Sequence, residues 1–142
     1  MGKEESIHFF KEAVRFRLNR QDALRKWLMK AVRKEEFRIS TLNYIFCNDE
    51  YLLQINKEYL GHNYFTDIIT FDNSSEKKII EGDIFISIDT VRKNSARFET
   101  RFQDELHRVM IHGLLHLSGY KDKTENDKKK MRAMEDRYIK FI

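Results

Sequence analysis

Residues 79–120 read IIEGDIFISIDTVRKNSARFETRFQDELHRVMIHGLLHLSGY, and the fold class turns on how their apolar residues are spaced. In IIEGDIFISID (79–89), Ile84, Ile86 and Ile88 alternate with Phe85 and Ser87, the two-residue period of a strand with one face buried. Asp89 is then placed to cap a helix reaching about Phe98, and a second helix runs from about Arg101 to Ser118. A strand therefore hands over to helices within this stretch.

Upstream, TDIITF (66–71) reads as a short strand and NSSEKK (73–78) as a hairpin loop or excursion. FRISTLNYIFC (37–47) is a strand by its β-branched and aromatic content, and residues 5–18 read as extended. Between Gln21 and Glu35, Leu24, Trp27, Leu28, Ala31 and Val32 recur at three- and four-residue spacing, which predicts an amphipathic helix. Asn48 or Asp49 can cap a short helix whose Leu52, Ile55 and Tyr59 share a face. Downstream, a last helix begins after Thr124 with Met131, Met134 and Tyr138 inward, and Thr124 with Asp127 resembles a capping box. Strands in the middle and helices at the end predict an α+β fold, a mixed sheet covered by helices. No repeat, linker or low-complexity tract divides the 142 residues, so residues 1–142 read as one domain.

Hydrophobic residues make up 41% and aromatics 13%, enough for a packed core. Cys47 is the only cysteine, which excludes an internal disulfide and a thiolate-rich zinc site; it reads as a small core residue. MGKEESIHFF has charges where a signal peptide needs an apolar run, and no stretch approaches the ~18 apolar residues of a membrane span. The expectation is a soluble, cytoplasmic protein with no membrane contact. Met1, Gly2 and Ser6 fit a short myristoylation pattern, but a start residue followed by Gly is the simpler reading. Net charge is +4 and the pI is near 9.1, which permits phosphate-rich partners without naming one.

The chemistry concentrates in MIHGLLHLSGYKDK (110–123). His112 and His116 are four apart in a helical stretch, so their rings leave one face about one turn apart and can reach one ion. Gly119 suits the left-handed residue that ends a helix, and Asp122 can then fold back as an oxygen ligand. Two His and one carboxylate leave a coordination position open for water, as catalysis requires.

HGLLHLSGY resembles the signature of the YbeY family of single-strand-specific metallo-endoribonucleases, His-Gly-x-Leu-His-x-x-Gly-Tyr-Asp-His. INKEY (55–59), TDIITF (66–71) and EGDIFIS (81–87) resemble further segments of that family in the same order, and Met131 and Glu135 fall where its final helix has Met and Glu. The resemblance implies a zincin-like fold and one zinc ion. It also implies maturation of the 3′ end of small-subunit rRNA and ribosome quality control, with RNA and the ribosome or small-subunit factors as partners. Two positions depart from the pattern. Asp122 stands where the family has a third His, which keeps a plausible zinc site and favours harder ions such as Mn²⁺ somewhat more. Leu60 stands where the family has an Arg suited to phosphate; His62, a site candidate whose alternative role is an ordinary loop residue, or an Arg from elsewhere would have to offset the loss.

No general base is evident. Asp67 is a candidate for the cleft, with strand capping as its alternative role; Asp83 reads as structural, and His8 and His107 lack partners in sequence. Zinc peptidases carry Glu directly after the first His; here that residue is Gly113. Three functions compete: a metallo-endoribonuclease, a metal-dependent hydrolase of peptides or amides, and a non-catalytic ribosome-associated metal-binding module.

Overall fold

A computed structural model describes residues 5–142; the Met1–Gly2 pattern lies outside them. The elements are β1 (Ser6–Glu12), α1 (Gln21–Lys34), β2 (Arg38–Cys47), α2 (Asp49–Leu60), β3 (Ile68–Asp72), β4 (Ile79–Ser87), α3 (Ile88–Arg97), α4 (Phe102–Leu117) and α5 (Glu125–Ile139). The four strands form one sheet in the order β1-β2-β4-β3. β1 pairs parallel with β2 and β2 with β4, while β3 runs antiparallel along β4. This is the mixed sheet of an α+β fold. No helix among the described residues is long and apolar enough to cross a membrane.

The two faces of the sheet carry unequal loads. Leu42, Tyr44 and Phe46 of β2 and Ile80, Ile84 and Ile86 of β4 join the apolar stripes of α1 and α4 in the main core. A bulge between Ile39 and Thr41 lets Ile39 face that core too, although the period of two would turn it outward from Leu42. On the other face, Leu52 of α2 packs with Cys47 and Ile69 in a smaller cluster beside Phe71 and Phe85. Tyr44 is fully buried, and its hydroxyl donates to the Met110 carbonyl at 2.9 Å, tying the central strand to α4.

Several local expectations shift. The extended N-terminal segment is a strand only to Glu12; Ala13 and Arg20 adopt positive φ and break the run before α1. Asp89 does not cap α3. Ser87 does, its side chain accepting from the Thr90 amide at 3.3 Å, because β4 ends there and Asp89 already lies in the first helical turn. Asp89 instead accepts the Asp49 amide at 3.0 Å, across the start of α2. The third strand begins at Ile68 rather than at Thr66. Tyr59 is 66% exposed, so α2 buries a narrower face than the spacing suggested. Asn48 caps α2, and the Thr124–Asp127 capping box at α5 is complete in both directions.

Gly113 sets the distance between α4 and the sheet. A Cβ there would meet Ile68 Cδ1 and Ile84 Cγ2, each at 2.9 Å. Only glycine allows the helix to lie this close to β3 and β4. The same packing turns the neighbouring His112 towards the open side of α4.

Candidate metal centre

α4 ends in a tight reversal. The Gly119 amide bonds to the His116 carbonyl at 3.1 Å and the Tyr120 amide to the Leu115 carbonyl at 3.0 Å, with Gly119 at φ +102°. The reversal brings the following segment back along the helix face that bears both histidines. One ligand atom from each of His112, His116 and Asp122 lies within 4.8 Å of the others. The two Nε2 atoms are 3.0 Å apart, and Asp122 Oδ2 is 3.7 Å from His112 Nε2.

The outer nitrogens explain why the inner ones converge. His112 Nδ1 lies 2.6 Å from a Glu135 carboxylate oxygen on α5, and His116 Nδ1 lies 3.0 Å from the Tyr120 carbonyl. Both partners are acceptors, so each Nδ1 carries the hydrogen and each Nε2 presents a lone pair. A shared cation, a metal ion or a proton, relieves the repulsion of two lone pairs facing each other at 3.0 Å. The donor set thus fits a divalent cation, with two imidazoles and one carboxylate that is 37% exposed.

Electrostatics follow from these contacts. Burial alone would lower the His112 pKa, but the Glu135 hydrogen bond and charge outweigh it and raise the value above 6.5. His116 is lowered by burial and by the adjacent His112. Burial works against the Glu135 carboxylate, yet His112 and Arg108 hold its pKa below the ordinary value. Arg108 bridges Glu135 and Asp136 at 2.8 Å each.

A second brace reaches the site from the far end of the chain. The Tyr120 hydroxyl donates to Glu35 at 2.6 Å, the Tyr138 hydroxyl donates to the other Glu35 oxygen, and Trp27 Nε1 donates to the Tyr138 carbonyl at 2.7 Å. Glu35 therefore clamps the segment whose carbonyl orients His116. Burial, then Glu35, push the Tyr120 phenol up to about 12.

His112 and Asp122 open onto a cleft of about 390 Å³ lined also by Asp67, Glu105, Arg108, Lys128, Arg132 and Glu135. Asp67 is thus on the wall of the cleft, and its carbonyl accepts the Ser87 amide at 2.9 Å. Glu105 was not anticipated; burial raises its pKa, and Asp67 and Glu135 add to the shift. His62 is not on that wall: it stacks on Tyr64 in an exposed loop. Asp83 receives Asn43 and Asn73 amides at 3.0 and 3.4 Å and is a structural acceptor. His107 packs beside Trp27, and Cys47 is fully buried.

Residues 7–142 match the family described as Endoribonuclease YbeY. The chain belongs to the YbeY endoribonuclease family. An endoribonuclease YbeY of Cytophaga hutchinsonii is 58% identical over 134 residues, covering 94% of each chain. That of Porphyromonas gingivalis is 45% identical over 136 residues, 96% of this chain and 89% of its own. A solution structure of a Thermotoga maritima protein matches the fold with a TM-score of 0.68 at 26% identity, over 94% of this chain and 87% of that one. The resemblance first carried by the His motif thus extends across the YbeY fold. Glu135, Arg108 and Glu35 are the supports that motif reading missed. Of these only Glu135 had a sequence signal, its match to the final helix of the family.

Proposed function

We propose that this chain is a metal-dependent endoribonuclease that hydrolyses single-stranded RNA during maturation of small-subunit rRNA in the cytoplasm. His112, His116 and Asp122 hold one zinc ion. The observation that carries this reading is the pair of Nε2 lone pairs 3.0 Å apart, each fixed by an acceptor on its Nδ1. All of residues 1–142 serve as one metallohydrolase domain, and the ribosome or its small-subunit factors are its partners.

When bound, the ion supplies Lewis acidity and lowers the pKa of water at the site. The chain supplies the rest. Glu135 and the Tyr120 carbonyl hold both imidazoles in the ligating tautomer. Lys128 and Arg132 line the cleft and make no ion pair among the described residues, so their charges are available for phosphate in place of the guanidinium missing at Leu60. Arg108 is already committed to Glu135 and Asp136. Glu105, whose affinity for a proton is raised by burial, takes up a proton on its carboxylate at the cleft wall, and Asp67 orients substrate beside it.

The peptide-hydrolase alternative lacks the Glu that follows the first His in zinc peptidases. Position 113 is wedged against Ile68 and Ile84 and admits no side chain without a shift of those two isoleucines. The test is metal content and RNA cleavage by purified protein and by His116→Ala. Cleavage that disappears with EDTA and with the substitution supports the proposal. Activity that survives both refutes it, and bound metal with no cleavage favours the non-catalytic module.

A further inference from the structure

Seven large hydrophobic residues are exposed among the described residues, and four of them, Tyr59, Leu60, Tyr64 and Phe65, lie between positions 59 and 65. Tyr64 is 55% and Phe65 61% exposed. The concentration is not accompanied by a loose backbone. Gly61 ends α2 at φ +67°, the His62 amide bonds to the Asn56 carbonyl at 3.1 Å, and buried Asn56 donates its side-chain amide to the Tyr64 carbonyl at 2.9 Å. A buried asparagine thus holds the loop in place while the rings stay in solvent.

The rings are also arranged. His62 and Tyr64 stack with centroids 5.1 Å apart and planes 18° from parallel, and the Tyr64 hydroxyl meets His62 Nδ1 at 3.0 Å. Tyr59 rests edge-on against Phe71 at 5.8 Å. The loop leads directly into Asp67 on the cleft wall, so Phe65 lies within about 7 Å of Asp67 along the chain, two residues at full extension.

We propose that the 59–65 loop, with Tyr64 and Phe65 at its centre, is a stacking platform for unpaired bases of RNA flanking the phosphodiester in the cleft. This rests on the endoribonuclease reading above. Flat aromatic faces suit a π-surface, and Lys128 and Arg132 of the cleft that Asp67 also lines suit a phosphate backbone; a single-stranded nucleic acid carries both features on one polymer. A duplex keeps its base faces covered by their neighbours, so the platform selects against paired RNA. Beside Leu60, where the family pattern has an Arg, stacking adds to the hold that Lys128 and Arg132 supply.

The test compares wild type, Tyr64→Ala/Phe65→Ala and a control, Phe10→Ala. Phe10 is an exposed ring on β1, at the opposite edge of the sheet from β3. Binding of a fluorescent RNA single strand is measured in EDTA by anisotropy, beside an abasic strand of equal length and a duplex. Thermal unfolding checks that the variants fold. The double variant should lose about 5- to 150-fold affinity for the single strand, the range of one stacked base. Its affinity for the abasic strand should not change, and Phe10→Ala should resemble wild type. In cleavage assays with metal, KM should rise while kcat holds. Unchanged single-strand affinity, or an equal loss on the abasic strand, overturns the platform. So does loss of co-sedimentation with ribosomes while oligonucleotide binding is intact, which would make the loop a protein-docking surface. If wild type binds single strands through these rings but never cleaves them, the nuclease reading fails and the platform stands; if it cleaves with KM unchanged in the double variant, the reverse holds.

Discussion

Glu135→Gln tests the site through a residue that holds His112 and is not itself a proposed ligand. In the native protein one Glu135 oxygen faces His112 Nδ1 at 2.6 Å and the other faces Arg108 at 2.8 Å, with the side chain 6% exposed. A glutamine there has one acceptor and one donor group. Arg108 can only donate, whereas a neutral histidine can exchange tautomers. The amide oxygen will therefore turn to Arg108 and the amide NH₂ to His112 Nδ1. That contact forces the hydrogen onto Nε2 and removes the lone pair aimed at the ion. Loss of an outer partner of this kind costs 10- to 100-fold in metal affinity, and a reversed tautomer places this variant near the upper bound, ~2.7 kcal/mol. Competition with a chromophoric zinc chelator gives the affinity directly, and near-ultraviolet circular dichroism checks that the core is intact. The pH profile adds an independent reading. Protons compete with the ion for His112, and in wild type that competition sets in above pH 6.5 because Glu135 raises the His112 pKa. In the variant its onset should move down. A folded variant binding zinc within about threefold of wild type, with an unmoved profile, would refute the tautomer reasoning.

Three further outcomes follow from the packing and the ion pairs. Gly113→Ala gains about 1 kcal/mol of helix propensity but overpacks Ile68 and Ile84, at a cost of about 1–3 kcal/mol, so urea unfolding should show a net loss of up to ~2 kcal/mol. Adding Ile68→Val, which removes the Cδ1 that the new methyl meets, should recover part of it; a more stable single variant would show that the helix has room to rise. Glu35→Gln keeps only one acceptor for two tyrosine hydroxyls, so unfolding should show a loss of about 1.5–3 kcal/mol, the worth of a charge-assisted bond. Alkaline titration should then reveal a tyrosine ionising below the value of about 12 that Tyr120 has in wild type; an unchanged titration would break the proposed link between Glu35 and that ring. Burial opposes the Asp49 charge, but bonds from Lys93, Ser87 and Thr90 outweigh it and lower the pKa below 3.8. Its contribution is complete above pH 3.8 and is lost as pH falls through the lowered value, so the stability gap between wild type and Asp49→Asn should close in acid. A gap that persists there would assign the effect to shape rather than charge.

What could be read in advance divides by distance along the chain. His112 and His116 share a helix face because helical geometry is local, and Gly119 with Asp122 follows from the residue a left-handed cap requires. The capping box at Thr124 is local in the same way. Glu135 is 23 residues from His112 and Glu35 is 85 from Tyr120, and no periodicity relates them; the docking of α5 and α1 against α4 does. The cap of α3 failed at shorter range. Ser87 and Asp89 are both good capping residues, and pairing of Ser87 with Cys47 at the end of β4 decides between them. Of the two roles open to His62, offsetting Leu60 or being an ordinary loop residue, the structure has the second: Gly61 turns the chain so that its ring meets Tyr64.

The bracing of both histidines also orders events during synthesis. The two imidazoles and Asp122 leave the ribosome before α5, yet the Glu135 carboxylate that fixes His112 and the Tyr138 hydroxyl that helps to anchor Glu35 both belong to α5. A nascent chain that has emerged only as far as Asp122 carries every proposed ligand and lacks two of the groups that support them. Full affinity for the ion thus arrives only with the docking of α5, after every proposed ligand has already emerged.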